Sequence, residues 1–197
     1  MFDSKFQRIF DPLLNIISSK LINLGIKANF LTYLGFIFSI LCFCFVANKY
    51  FLVGLVFFLL NRFFDGLDGA VARKLGPTNY GGYIDIVFDF ITYSLIPFAF
   101  IVCDEKNAIP GALLLVTYFG TGSSFLAFAI FYKKKYKKSF FYFDSLVGGS
   151  ETIIFNIFIL LFPEHFGILA VIFATLCVIT TLLRIYGAKK LLEINNV

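Results

Sequence analysis

The sequence predicts an all-α integral membrane protein with six transmembrane helices and an amphipathic surface helix at its N-terminus. The first observation is composition: 59% of the 197 residues are hydrophobic and 15% are charged, whereas soluble domains carry about 25% charged residues. The second is hydropathy. The mean value is +0.88, and six apolar stretches approach the roughly 20 residues that a helix needs to cross a bilayer. The third is the placement of lysine and arginine around those stretches.

The N-terminal segment, residues 1–29, is expected to contain an amphipathic helix over residues 3–24 that lies on the membrane surface. Asp11-Pro12 interrupts the pattern. A helix packed on the protein itself fits the pattern equally well. The apolar positions recur at helical spacing: Phe6, Ile9, Phe10, Leu13, Leu14, Ile17 and Leu21.

The remaining apolar stretches predict one domain over residues 1–197, with a six-helix bundle at 30–186 and a cytoplasmic tail at 187–197. The fifth span is short unless its helix begins near Gly148. Pro97 is expected to kink the third span without breaking it, because neighbouring helices can satisfy the freed carbonyl. The predicted spans are 30–47, 50–73, 83–102, 108–132, 151–163 and 166–186.

The cations predict the orientation of these spans. Six spans place all of the 17 lysine and arginine residues on one face except Lys49 and Lys106. Because positive loops stay in the cytoplasm, we expect both termini and residues 65–89 to be cytoplasmic, in a plasma or inner membrane. The Lys133–Lys138 run then sets topology, although it suits anionic headgroups or a phosphorylated substrate too. The net charge of +5 therefore does not indicate nucleic-acid binding.

Four aspartates interrupt the apolar pattern. Asp65 and Asp68 are three residues apart and Asp85 and Asp89 are four apart, so each pair shares a helix face. The turn signal at Gly76-Pro77 makes the two helices antiparallel neighbours, which brings both pairs to one cavity. In the alternative interpretation, these acids are interfacial or pair with nearby cations: Arg62, Arg73 and Lys74.

Carboxylates gathered in a partly dehydrated cavity repel one another, and divalent cations relieve that repulsion. Oxygen ligands without Cys or His suit Mg²⁺, Mn²⁺ or Ca²⁺. Two such ions can bridge a diphosphate, while one carboxylate takes a proton from a hydroxyl. Gly66, Gly69 and Ala72 leave space for a ligand, and Arg73 offers a fork suited to phosphate. The pattern predicts metal-dependent phosphate chemistry.

These residues resemble the signature of the CDP-alcohol phosphotransferases, D-x2-D-G-x2-A-R followed by G-x3-D-x3-D. The spacer between Arg73 and Gly81 has seven residues where the family commonly has eight, which affects only the loop. Residues 28–32, ANFLT, also resemble the Asn-x-x-Thr element that opens the family's first span. All eight fixed positions of the signature are filled: Asp65, Asp68, Gly69, Ala72, Arg73, Gly81, Asp85 and Asp89.

The resemblance implies a reaction in which a CDP-linked lipid, typically CDP-diacylglycerol, loses CMP as its phosphatidyl group passes to an alcohol. It implies that Asp65, Asp68 and Asp85 bind two Mg²⁺ or Mn²⁺ ions, and that Asp89 shares a metal and acts as the base. Family members are commonly homodimers. The remaining matched residues would form the CDP-alcohol site: Gly69, Ala72, Arg73 and Gly81, with polar contacts from Asn29 and Thr32.

Two other functions fit parts of the pattern. An intramembrane prenyltransferase also uses Asp-rich motifs and Mg²⁺, but it does not need the Gly-x-x-Ala-Arg part. A cation channel or transporter would more plausibly show paired halves with broken helices. Within the phosphotransferases, the candidate acceptors are glycerol 3-phosphate, inositol phosphate, serine and another lipid, and glycerol 3-phosphate is favoured because it is a common acceptor in the family. Glu151 is interpreted as an acid at a helix N-terminus, where the macrodipole favours it.

Overall fold

The computed structural model describes residues 3–131 and 146–194, so the Lys133–Lys138 run lies outside the described residues. Every regular element in these ranges is helical, which confirms the all-α prediction. Short 3-10 turns at Glu105–Asn107 and Pro163–His165 precede the fifth and seventh helices. The α-helices are α1 (Asp3–Asn23), α2 (Ala28–Ala47), α3 (Phe51–Leu75), α4 (Asn79–Cys103), α5 (Ala108–Phe131), α6 (Gly149–Leu161) and α7 (Phe166–Ile194).

Each of the six predicted spans is a helix, but only four helices in the described residues are long and apolar enough to cross a membrane: α2, α4, α5 with its preceding turn, and α7. Helix α3 has 25 residues, yet its second half carries Arg62, Asp65, Asp68, Arg73 and Lys74. Helix α6 has 13 residues, fewer than the roughly 20 that span a bilayer. The six-span count therefore stays a prediction.

The α3–α4 connection lies at the predicted Gly76-Pro77 turn, and the helices on both sides extend beyond the predicted spans. Helix α3 continues to Leu75 and ends at Gly76, whose φ of 97° suits glycine. Helix α4 begins at Asn79 because the Thr78 hydroxyl accepts a hydrogen bond from the Gly81 N–H at 3.0 Å. Only three residues therefore separate the two helices that carry the aspartates.

Helix α1 packs on α3. This agrees with the second interpretation of the N-terminal segment, in which the helix packs on the protein itself. Leu14 is buried among Leu67, Val71 and neighbouring apolar groups. The Lys74 ammonium donates to the Asn15 carbonyl at 2.6 Å. Leu13, the preceding residue on α1, points away from this contact and is 51% exposed. The helix is amphipathic, as predicted, with one face on the protein and the other exposed.

The N-terminus of α6 confirms the interpretation of Glu151. Its carboxylate accepts a hydrogen bond from the Gly148 N–H at 3.0 Å and one from the Ser150 hydroxyl at 3.1 Å. These bonds satisfy a backbone donor that the helix would otherwise leave unpaired. Glu151 therefore caps α6.

Close packing of α2, α3 and α4 builds the framework of the site. A methyl group on Gly35 would lie 3.4 Å from Phe64 Cβ, so α2 and α3 approach closely at a small residue. The Ser39 and Thr92 hydroxyls are 2.7 Å apart and join α2 to α4. Stacked Phe100 and Phe166 rings, 4.2 Å apart, connect this unit to α7.

Candidate active site

Helices α3 and α4 bring all four predicted aspartates to one pocket, and α2 closes it. The chain achieves this because each aspartate pair occupies one helix face and the three-residue loop holds the faces together. The pocket is lined by Thr32, Gly35, Phe36, Asn61, Arg62, Asp65, Asp68, Asp85, Phe88, Asp89 and Thr92.

Three of the aspartates form a cluster suited to a metal ion. One carboxylate oxygen from each of Asp65, Asp68 and Asp85 lies within 4.8 Å of the other two. Ligands at the 2.0–2.6 Å typical of Mg²⁺ and Ca²⁺ are separated by distances up to about 5 Å across the ion. The three oxygens can therefore contact one ion.

A buried oxygen on Asp68 supports the same conclusion. Asp68 is 6% exposed, and its Oδ2 has no hydrogen-bond partner within the described part of the chain. A buried carboxylate oxygen without a partner is costly. A divalent cation supplies the missing contact and the missing charge, so the donor set fits such an ion.

Asp89 lies in the same pocket but outside this cluster. Its Oδ1 is 2.8 Å from Arg62 Nη2, while Arg62 Nη1 is 3.6 Å from Asp65 Oδ2. The four acids thus separate into a group of three and a fourth, Asp89, which makes the shorter of the two Arg62 contacts. Of the three cations that the alternative interpretation pairs with these acids, Arg62 makes such a contact.

Arg62 is a site residue that the sequence pattern did not predict. Its guanidinium donates to Asn61 Oδ1 at 2.7 Å and to the Tyr93 hydroxyl at 3.1 Å. Asn61 in turn donates to the Gly35 carbonyl at 3.0 Å. The available signal was spacing, since Arg62 precedes Asp65 by three residues and so shares its helix face.

Of the other predicted residues, Thr32 lines the pocket, and its hydroxyl donates to the Ala28 carbonyl at 3.2 Å. Asn29 and Gly81 meet outside the pocket lining. A methyl group on Gly81 would lie 3.0 Å from both Asn29 Oδ1 and Thr78 Oγ1. The ANFLT element at the start of α2 and the first turn of α4 therefore lie side by side.

The remaining predicted residues lie on α3 beyond the aspartates. Arg73 does not line the pocket; its guanidinium is 3.6 Å from the Asp11 carboxylate of α1, and both side chains are about half exposed. A methyl group on Gly69 would lie 3.3 Å from Arg73 Nη1. Gly69, Ala72 and Arg73 therefore form the outer edge of the α3 surface that carries Asp65 and Asp68.

Comparison with known proteins agrees with this geometry. The family model described as CDP-alcohol phosphatidyltransferase matches residues 26–186. The chain belongs to the CDP-alcohol phosphatidyltransferase family. The match includes all four aspartates, so this phosphatidyltransferase is an enzyme, and the prenyltransferase and channel interpretations are no longer needed. Membership also supports a divalent-metal requirement, for which the three-aspartate cluster provides ligands.

Two similar proteins extend the comparison. The phosphatidyltransferase is 42% identical over 201 residues to the inner membrane protein YnjF of Escherichia coli (strain K12), covering 98% of each chain. It shares its fold with the Mycobacterium tuberculosis phosphatidylinositol phosphate synthase (PgsA1), whose crystal structure has CDP-DAG bound. That match has a TM-score of 0.78 at 19% identity and covers 90% of this chain and 94% of the other.

Proposed function

We propose that this phosphatidyltransferase moves the phosphatidyl group of CDP-diacylglycerol to glycerol 3-phosphate and releases CMP. The observation that carries the proposal is the pocket between α3 and α4, where a three-carboxylate cluster and a fourth, partly exposed carboxylate occupy the family's signature positions. The donor accords with the CDP-DAG bound to the structurally similar synthase. The acceptor is proposed because it is common in the family.

Asp65, Asp68 and Asp85 would hold Mg²⁺ or Mn²⁺, with a second ion shared by Asp89. Bound ions of this kind neutralise a diphosphate and stabilise its leaving oxygen. The aspartates supply hard oxygen ligands in a pocket that has no Cys or His in its lining. The carboxylates of the chain thus provide the negative charge that would position the ions. The ions would in turn attract the diphosphate of the donor.

Asp89 is proposed as the general base. Its side chain is 31% exposed and lies on the pocket wall, so an acceptor hydroxyl can reach it. The carboxylate takes the hydroxyl proton as the acceptor oxygen forms a bond to the phosphatidyl phosphorus. The bond from that phosphorus to the CMP oxygen breaks, and CMP leaves with the electron pair.

The CDP moiety is proposed to bind along the outer end of α3 and α4. Gly81 and Asn29 lie close together there. Gly69 and Ala72 have small side chains, which leaves space for a ligand beside α3. The Arg73–Asp11 pair is exposed, and exposed pairs contribute only about 0–1 kcal/mol. Arg73 can therefore exchange Asp11 for a donor phosphate at little cost.

Location and assembly complete the proposal. The four apolar helices and the similarity to an inner membrane protein support an integral protein of the inner membrane. The biased distribution of lysine and arginine supports an active site on the cytoplasmic side. A homodimer is proposed because family members commonly form one.

Release of CMP tests the proposed function. Purified full-length protein in lipid nanodiscs would receive CDP-diacylglycerol, Mg²⁺ or Mn²⁺, and one acceptor at a time: glycerol 3-phosphate, inositol phosphate or serine. We expect CMP and a lipid product with glycerol 3-phosphate. Turnover with only one of the other acceptors would show that glycerol 3-phosphate is not the acceptor. No CMP with any acceptor, from folded protein that binds Mn²⁺, would contradict the reaction.

A further inference from the structure

We propose that Phe36 and Phe88 keep water out of the pocket on its α2–α4 side and thereby favour transfer to an alcohol over hydrolysis of the CDP-lipid. Both side chains line the pocket but lie outside the aspartate signature. Their role rests on the proposed function and adds the rejection of water to it.

The two rings belong to an aromatic layer between α2 and α4. Phe36 and Phe88 are stacked, with their centres 4.2 Å apart and an interplanar angle of 12°. On the outer side, the Tyr33 ring lies 5.6 Å from Phe88 in an edge-on contact, and the Tyr33 and Tyr80 hydroxyls are 2.7 Å apart. Tyr33 is 43% exposed and does not line the pocket. Aromatic rings therefore separate the carboxylates from the surface on this side.

Water competes with the acceptor for the same chemistry. When a water oxygen bonds to the phosphatidyl phosphorus, the bond from that phosphorus to the CMP oxygen breaks and CMP leaves with the electron pair. The Asp89 carboxylate takes the water proton, as it would take the proton of an acceptor hydroxyl. The products are CMP and phosphatidic acid. Because water is far more abundant than any acceptor, a transferase must exclude it from the reacting phosphorus.

The pocket has an open side and a closed side. The Asp65 and Asp89 side chains are 35% and 31% exposed, so substrates can enter beside them and displace water as they bind. On the α2–α4 side the chain itself must close the pocket. Phe88 directly precedes Asp89 in α4, and an apolar ring offers an entering water no hydrogen bond.

A second stacked pair on the same two helices serves packing alone. Phe43 of α2 and Phe98 of α4 have ring centres 5.6 Å apart and an interplanar angle of 14°. Neither lines the pocket. These rings join α2 to α4 as Phe36 and Phe88 do, but they shield no carboxylate. The chain therefore provides a matched control for each pocket ring.

The test compares hydrolysis with transfer in the full-length protein in nanodiscs. Labelled CDP-diacylglycerol and Mn²⁺ are supplied with saturating glycerol 3-phosphate, or with whichever acceptor of the panel supports transfer. Phosphatidic acid measures hydrolysis, and the acceptor-linked lipid measures transfer. Phe36→Ala and Phe88→Ala should raise the ratio of hydrolysis to transfer about tenfold. Phe43→Ala and Phe98→Ala should lower the Tm but keep the wild-type ratio.

A conservative variant checks that apolar bulk is the property required. Phe88→Leu retains a large apolar side chain, so its ratio of hydrolysis to transfer should lie closer to wild type than that of Phe88→Ala. A ratio in Phe88→Leu as high as in Phe88→Ala would mean that bulk at this position does not exclude water.

A second measurement does not depend on turnover. In Mn²⁺-loaded protein saturated with the CDP-lipid, the relaxation rate of water protons reports how much exchanging water reaches the ion. This rate should rise in Phe36→Ala and Phe88→Ala, because the gap between α2 and α4 admits water. It should stay at the wild-type value in Phe43→Ala and Phe98→Ala.

Several results would overturn the proposal. If the pocket and control variants share one ratio of hydrolysis to transfer, at the wild-type value or above it, packing alone explains the stacked rings. An unchanged water relaxation rate in Phe36→Ala and Phe88→Ala would also contradict the exclusion of water. If no acceptor supports CMP release but the relaxation rate rises in these two variants alone, the exclusion of water is supported and the proposed reaction is contradicted.

Discussion

Asn29 and Gly81 face each other across the α2–α4 contact, and a methyl group on Gly81 would lie 3.0 Å from Asn29 Oδ1. That separation is too short for an unstrained carbon–oxygen contact. The ANFLT element and the second half of the aspartate signature therefore meet in space, although about 50 residues separate them in the sequence.

Gly81→Ala tests the importance of this contact. The methyl group should displace Asn29 or Thr78 and raise KM for the CDP-lipid about tenfold, because a loss of about 1.4 kcal/mol changes binding by that factor. Gly82→Ala is the matched control, since a methyl group there would meet no atom within 4 Å. Equal kinetics for the two variants would remove Gly81 from the donor site.

Asp68→Asn tests the metal cluster. The amide keeps the shape but cannot supply a charged ligand, so Mn²⁺ affinity should fall at least tenfold and CMP release should fall with it. Chelation of wild type with EDTA should abolish turnover, and added Mg²⁺ or Mn²⁺ should restore it. Turnover that survives chelation would contradict a metal-dependent reaction.

Asn61→Ala tests the support beneath Arg62. The change removes the bond to the Gly35 carbonyl and leaves a buried guanidinium N–H without its partner, which should cost about 1–3 kcal/mol of stability. We expect a lower Tm and a lower kcat. Asn48→Ala is the control, because the Asn48 amide donates to Cys44 O at an exposed position and should change neither. An unchanged kcat in Asn61→Ala would show that turnover does not depend on the contact between Asn61 and Arg62.

Leu14→Ala tests the packing of α1 on α3. Leu14 is 9% exposed, and Leu13 beside it is 51% exposed. Loss of a buried leucine side chain should destabilise this contact by about 2–5 kcal/mol and make the 24–27 loop more sensitive to protease. Leu13→Ala should leave protease sensitivity unchanged. Similar digestion of both variants would mean that α1 is held chiefly by lipid.

Reporter fusions test the six-span prediction and decide whether α3 crosses the membrane. Alkaline phosphatase fused after Lys49 or Lys106 should be active, because those points are predicted to be outside the cytoplasm. A fusion after Lys74 should be inactive, while green fluorescent protein at that point should fluoresce. Phosphatase activity after Lys74 would show that α3 does not span.

The fold followed closely from apolar periodicity and turn residues, because both act locally. The helix ends were less predictable. Helix α7 runs to Ile194 rather than residue 186, since Lys189 and Lys190 end an apolar stretch without breaking a helix. The packing of α1 on α3 could not be predicted, because amphipathic spacing identifies the apolar face of α1 but not the helix that this face contacts.

The site was predictable where spacing alone decides it. The two aspartate pairs share helix faces, and they converge as expected. The division into Asp65, Asp68 and Asp85 on one side and Asp89 on the other was implied by the resemblance to the family. Spacing alone does not predict it, because it depends on the direction of one long Arg62 side chain. Asn61 carried no recognisable signal, since a buried amide that bonds to a neighbouring helix resembles any other polar residue in a span.

The three-residue loop between α3 and α4 has a consequence for the order of folding. All four aspartates and Arg62 belong to one helical hairpin, so closing a very short loop brings them together. Contacts of such small sequence separation form early and quickly. The acidic centre can therefore take shape before α5, α6 and α7 have emerged from the ribosome, and the later helices pack against a framework that already carries the site.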